Sequence, residues 1–272
     1  MLKLGAHVNV NSNMKDVFNH MGLNVIQVMF TNPRFYSYPS LQATVHWLKN
    51  YRKYCKEPLF VHSPYLVSLV KPKKEKQCRF TVEYARQLAV IAGRSEVPIR
   101  FVTHLGVIPE NMRPVEAYKN LMENLVCIHN ALKDIEGDFK VLLENDSGTR
   151  NRSKMNTAQG LYWLLGYNEV AKWFKTMWLG LCLDTNHAYG SGFDRKRWSK
   201  YVEIAEVIHF NPIPQFMELG RCQDRHHEFL LIESKEKRLL RRVAKKAEDL
   251  DVPMILENDS HTILPNLEWI SQ

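Results

Sequence analysis

A chain of 272 residues with 45% hydrophobic and 24% charged residues can bury a full core, which excludes disorder as its main state. Lys and Arg number 37 against 29 Asp and Glu, a net charge of +8; this admits an acidic polymer as partner without requiring one. No apolar run approaches the roughly 20 residues of a membrane span, and Met1-Leu2-Lys3-Leu4-Gly5-Ala6-His7 lacks the long apolar core of a signal peptide. The expectation is a soluble, intracellular protein with no membrane partner. The cysteines Cys55, Cys78, Cys127, Cys182 and Cys222 are odd in number and scattered, without a Cys-x-x-Cys pair, which speaks against a disulfide framework or a thiolate zinc finger.

In chain order, short apolar runs predict strands at Leu2 to His7, Asn24 to Phe30, Leu59 to His62, Ile99 to His104, Lys140 to Glu144, Leu179 to Asp184, Val207 to Phe210 and Pro253 to Glu257. Helical spacing falls between them at Leu41 to Tyr54, Lys76 to Ala92, Val115 to Leu132, Ala158 to Phe174, Trp198 to Ala205 and Lys235 to Leu250. Strands alternating with helices, and reading as continuous apolar runs such as Val141-Leu142-Leu143, predict a parallel sheet covered on both faces. Eight such units predict one α/β domain over residues 1–272, an eight-stranded TIM barrel with its active site at the carboxyl ends of the strands. An open doubly wound sheet is the alternative, but a nucleotide-binding one would carry a glycine-rich first turn that is missing here. The basic helix from Lys235 carries an apolar stripe of Leu239, Leu240, Val243, Ala247 and Leu250, so its charges read as a solvated outer face. His20, His46 and His129 read as lying in helical stretches, as surface or packing residues.

The informative residues end the apolar runs: His62, His104, Glu144, Asp184, His209 and Glu257 each close a different predicted strand. A barrel gathers such ends into one mouth. His187, Asp224 and His226 lie in the adjoining loops. Buried carboxylates repel one another unless cations hold them, and imidazole with carboxylate is a ligand set for zinc and similar ions. Nine such residues exceed the needs of one tetrahedral ion, and a shared carboxylate can bridge two, so two or three metals are expected.

At these residues the chain resembles the endonuclease IV family of apurinic/apyrimidinic endonucleases. The matching elements run nearly end to end: Gly5-Ala6-His7-Val8, Phe30-Thr31, His62-Ser63-Pro64-Tyr65-Leu66, His104-Leu105-Gly106, Leu143-Glu144-Asn145, Cys182-Leu183-Asp184-Thr185-Asn186-His187-Ala188, His209-Phe210-Asn211, Asp224-Arg225-His226-His227 and Leu256-Glu257. The resemblance implies three zinc ions: one on His62, His104 and Glu144, a second on Glu144, Asp184, His209 and Glu257, and a third on His187, Asp224 and His226. It further implies that double-stranded DNA is cut on the 5′ side of an abasic site, leaving a 3′-hydroxyl and a 5′-deoxyribose phosphate. Glu144 and Glu257 would be the catalytic carboxylates, and Arg34, Tyr65 and Leu66 the DNA contacts, in a protein expected to be monomeric. Two segments depart from the family pattern: Pro212 stands where an acidic residue is usual, and His227-Glu228-Phe229-Leu230-Leu231 replaces a glycine-containing stretch. The competing readings are a metal-dependent sugar isomerase or epimerase on a xylose isomerase-like barrel, and a metal-stabilised DNA-binding protein with weakened turnover.

Overall fold

In the computed structural model, which describes residues 2–106, 108–147, 160–161, 172–173, 178–213, 234–257 and 263–271, the apolar runs become eight strands. These are β1 Leu4–His7, β2 Val25–Val28, β3 Leu59–His62, β4 Ile99–His104, β5 Phe139–Glu144, β6 Leu179–Asp184, β7 Val207–His209 and β8 Met254–Leu256. All pairs are parallel, sequence neighbours are sheet neighbours, and β1 closes on β8, so the chain forms the expected closed barrel. Among the described residues, no helix is long and apolar enough to cross a membrane.

The described helices are α1 Leu41–Tyr51, α2 Lys76–Ser95, α3 Pro114–Leu132, α4 Thr185–Gly190, α5 Trp198–Val202, α6 Ser234–Asp249 and α7 Ile263–Ser271, with a π-helical turn at Asp16–His20. Of the predicted stretch Ala158 to Phe174, residues 160–161 and 172–173 are helical and the remainder lies outside the described residues. Helix α2 shows why the outer layer holds: Phe80, Tyr84, Leu88 and Ala92 recur every four residues on one face, and all are buried. In α6 the stripe Leu239, Leu240, Val243 and Ala247 is buried as expected. Leu250 is not; it lies one residue past the helix end and is 42% exposed. The three helical-region histidines behave as surface or packing groups: His20 pairs with Asp16, His46 is exposed, and His129 lies against Trp178.

Candidate metal centre

Alternate residues of a strand face opposite sides of the sheet. Seven strands use this to plug the barrel interior with Val25, Phe60, Val102, Leu142, Cys182, Val207 and Ile255, a cluster separate from the outer core. Two residues later, on the same inward face, stand Gln27, His62, His104, Glu144, Asp184, His209 and Glu257. In β1 the corresponding pair is Gly5 and His7; a Cβ on Gly5 would lie 2.5 Å from Val25, so only glycine fits there. The site is therefore one polar layer resting on an apolar floor. All six strand-end residues singled out in the sequence belong to it.

Glu144, with 1% of its side chain exposed, is the hub. Its Oε2 faces Nε2 of His62 at 3.3 Å and Nε2 of His104 at 3.4 Å, yet this buried oxygen has no hydrogen-bond partner. Its Oε1 lies 2.8 Å from Nδ1 of His209, which is in turn 3.2 Å from Oε2 of Glu257. Two groups here place their ligand atoms within 4.8 Å of one another, His62 with His104 and Glu144, and Glu144 with Asp184, His209 and Glu257. An oxygen left without a donor between two imidazole nitrogens is what a cation would satisfy, so the donor set fits a metal. Outer contacts support the same ring orientation: the Ser63 carbonyl takes Nδ1 of His62 at 2.8 Å, which turns Nε2 towards Glu144.

The third predicted set is only partly visible. His187 stands beside the other two, with Nδ1 3.0 Å from the Asn145 carbonyl, 3.6 Å from Asp184 and 3.8 Å from Glu144. Asp224 and His226 lie outside the described residues, as does the altered segment at 227–231. The Asp-Thr-Asn-His run has a local physical logic. Asp184 ends β6 and caps α4, accepting from the His187 amide at 2.7 Å, so no loop separates the two ligand candidates. Thr185 donates to the Asn211 carbonyl at 2.6 Å and Asn186 to that of Pro212 at 2.8 Å, which ties the end of β6 to the segment after β7.

Charge and burial oppose each other in this layer. Burial alone would raise the Glu144 carboxyl, but the His104 and His209 charges and the hydrogen bond from His209 hold it well below the usual carboxylate range. Burial would likewise lower His62 and His209, yet the Glu144 and Glu257 carboxylates keep His62 above the ordinary imidazole value, and Cys182 together with these carboxylates keeps His209 well above it. Cys182 also lies within reach of Glu144 and His209, but it belongs to the apolar plug, and burial pushes its thiol up to about 12. His7 is pushed down to about 4 by burial.

These shifts give the metal-free protein a pH-dependent contribution to its stability. His7, lowered from 6.5 to about 4, costs stability as pH falls through that interval. His62 and His209, raised from 6.5, add stability that is full below that value and is lost as pH rises through their folded values. Glu144 adds stability that is full above 4.5 and lost on further acidification. The thermal midpoint of EDTA-treated protein is thus expected to peak near pH 6.5 and fall on either side. Saturating zinc should move the peak upward, because ions bind neutral imidazole and ionised carboxylate. A metal-free midpoint rising steadily to pH 8 would contradict this account.

Comparison with known proteins decides the family. A model of the family described as xylose isomerase-like TIM barrel matches residues 16–231. The chain belongs to this family. Several relatives within reach of its sequence are described as probable endonuclease 4. That of Aquifex aeolicus is 25% identical over 245 residues, covering 83% of this chain and 81% of the relative. The resemblance to endonuclease IV read from the sequence is borne out by them. Among solved structures, endonuclease IV from Thermus thermophilus superposes with a TM-score of 0.69 at 19% identity, covering 99% of this chain and 97% of the other. A D-tagatose 3-epimerase-like protein superposes with the same TM-score, 0.69, at 18% identity, covering 99% and 96%. The xylose isomerase-like fold is thus common to both, and fold by itself does not choose between their chemistries.

On this xylose isomerase-like barrel the three predicted DNA-contact residues lie together in the loops after β2 and β3. The Tyr65 amide donates to the Pro33 carbonyl at 2.9 Å, locking the two loops to each other. Arg34 is exposed, Tyr65 is 67% exposed and Leu66 is half-buried. Phe35, which the sequence reading passed over, is 64% exposed beside Arg34. Sequence reasoning also missed three amides in contact with the candidate ligands: Gln27, Asn145 and Asn211. Asn145 clamps Asp184 through both of its amide atoms, at 2.8 and 3.1 Å. Asn211 donates to Asp184 at 2.6 Å and to Glu257 at 3.1 Å, while its own oxygen accepts from the Glu257 amide at 3.2 Å.

Proposed function

We propose that this chain, as one barrel domain over residues 1–272, is a zinc-dependent AP endonuclease that cuts DNA on the 5′ side of an abasic site, leaving a 3′-hydroxyl and a 5′-deoxyribose phosphate. The observation that carries the reading is the pair of adjoining ligand groups sharing Glu144. His62, His104 and Glu144 would hold one ion, Glu144, Asp184, His209 and Glu257 a second, and His187 with Asp224 and His226 a third. Bound there, the ions would lower the pKa of water towards about 7 and offset the charge of a phosphodiester.

The chain's own residues divide the remaining work. Three divalent ions against four carboxylates leave a surplus of two positive charges, suited to a phosphodiester and an attacking hydroxide. Glu257 is the carboxylate of the second group that solvent reaches, 12% exposed against 1% for Glu144 and 0% for Asp184. That exposure supports it as the group that would orient a water on the substrate side. Arg34 and Tyr65, on loops that are locked together, would meet the backbone and the gap left by the missing base, where stacking is already lost.

A sugar epimerase would share the barrel, but it needs neither the third ligand group nor a net charge of +8. The test is incubation of purified, zinc-restored protein with a duplex carrying one tetrahydrofuran abasic analogue and with an undamaged control. Cleavage 5′ to the analogue alone, with close to three zinc ions per chain, is expected. No cleavage, or one ion per chain, would reject the reading.

A further inference from the structure

Gln27 is fully buried on β2, among Val25, Ile26 and Val28. A carboxamide with no partner would be strongly disfavoured there, and this one has a partner at each of its polar atoms. Its Nε2 lies 2.6 Å from Oε1 of Glu257 and 3.2 Å from Nδ1 of His7, and its Oε1 lies 2.9 Å from Nε2 of His209. A carboxylate only accepts, so the atom facing Glu257 must be the NH2 group and the atom facing His209 the carbonyl oxygen. His7 accepts the second N–H. A flipped amide would set oxygen against carboxylate and N–H against N–H, so Glu257, His7 and His209 together permit one orientation.

That orientation has a consequence for the second ligand group. The Gln27 oxygen accepts from Nε2–H of His209, which leaves Nδ1, 2.8 and 3.2 Å from Glu144 and Glu257, as the nitrogen that would give up its proton to a metal. The same side chain holds one oxygen of Glu257 while Asn211 holds the other at 3.1 Å. We propose that Gln27 is a positioning residue of this group: it fixes the tautomer of His209 and the orientation of Glu257 through one amide, with His7 as its lock. This rests on reading the group as a metal site.

The test is zinc affinity, measured by competition with a chromophoric chelator, for wild type, Gln27→Leu and Gln27→Asn. Leucine keeps the volume without hydrogen bonds; asparagine keeps the amide but falls one methylene short of both partners. Each variant is expected to weaken one class of zinc site about 10- to 100-fold, the range for an outer partner of a ligand, and to leave the others unchanged. On a Glu257→Gln background the added loss should be smaller than on wild type, whereas general loosening would multiply. If Gln27→Leu does not fold, Gln27→Asn carries the comparison. Wild-type affinity at every site in a folded variant, or equal weakening of all sites, overturns the proposal alone. A wild type that binds no zinc overturns the metal reading and this inference with it.

Discussion

Replacing Glu144 by glutamine is expected to empty both adjoining ligand groups at once. Glu144 is the residue common to them, and its two oxygens face different partners: His62 and His104 on one side, His209 on the other. Glutamine matches the shape but offers one acceptor where two are needed, and it withdraws the negative charge that two neighbouring cations would share. Its amide N–H groups would also turn towards ring nitrogens that would have to stay free to bind metal. The expected result is loss of about two of three zinc ions and a fall in abasic-site cleavage of more than about 100-fold, beyond the range for an outer partner. Metal analysis alongside circular dichroism reads both outcomes on folded protein. A Glu144→Gln protein with wild-type zinc content would remove the shared-ligand assignment.

Much of this centre was legible because a barrel strand is buried on both faces until it reaches the mouth. The first charged or imidazole side chain after an apolar run therefore marks the layer where ligands converge, and that rule finds His62, His104, Glu144, Asp184, His209 and Glu257. It fails at Gln27 for a physical reason. The apolar residues of β2 continue past Gln27 and the strand end to Phe30, which packs edge-on against Trp47 at 5.4 Å, so no charged or imidazole residue announces where the ladder stops. Counting two residues on from the barrel plug locates Gln27 from Val25, but the plug is visible only once the strands are in register. His7 does end its run and lies in the matching element Gly5-Ala6-His7-Val8, but the resemblance gives it no ligand role; it is the lock of Gln27. The π-helical turn at Asp16–His20 and helix α7, with Pro265 in its first turn, lack enough period to be recognised. The clamps made by Asn145 and Asn211 depend on contacts across 39 and 46 residues, which local pattern does not carry.

Glu257→Gln is expected to separate binding from turnover. The carboxylate accepts at both oxygens: Gln27 donates to Oε1 at 2.6 Å, Asn211 donates to Oε2 at 3.1 Å, and Nδ1 of His209 lies 3.2 Å from Oε2. A glutamine is isosteric, but whichever way its amide turns, one N–H group meets another donor. The side chain must swing away or lose a bond, and either change removes a correctly placed acceptor from the solvent-reached edge of the centre. A positioned base contributes about 100- to 10,000-fold, so abasic-site cleavage should fall by that order. DNA affinity should hold or rise slightly, because the substitution deletes a negative charge facing a polyanion and leaves Arg34 and Tyr65 in place. Single-turnover cleavage and gel-shift binding on the same zinc-loaded preparation measure the two effects. Turnover that survives the substitution would take the water-orienting role from Glu257, and a parallel loss of binding would make it a structural support for the mouth.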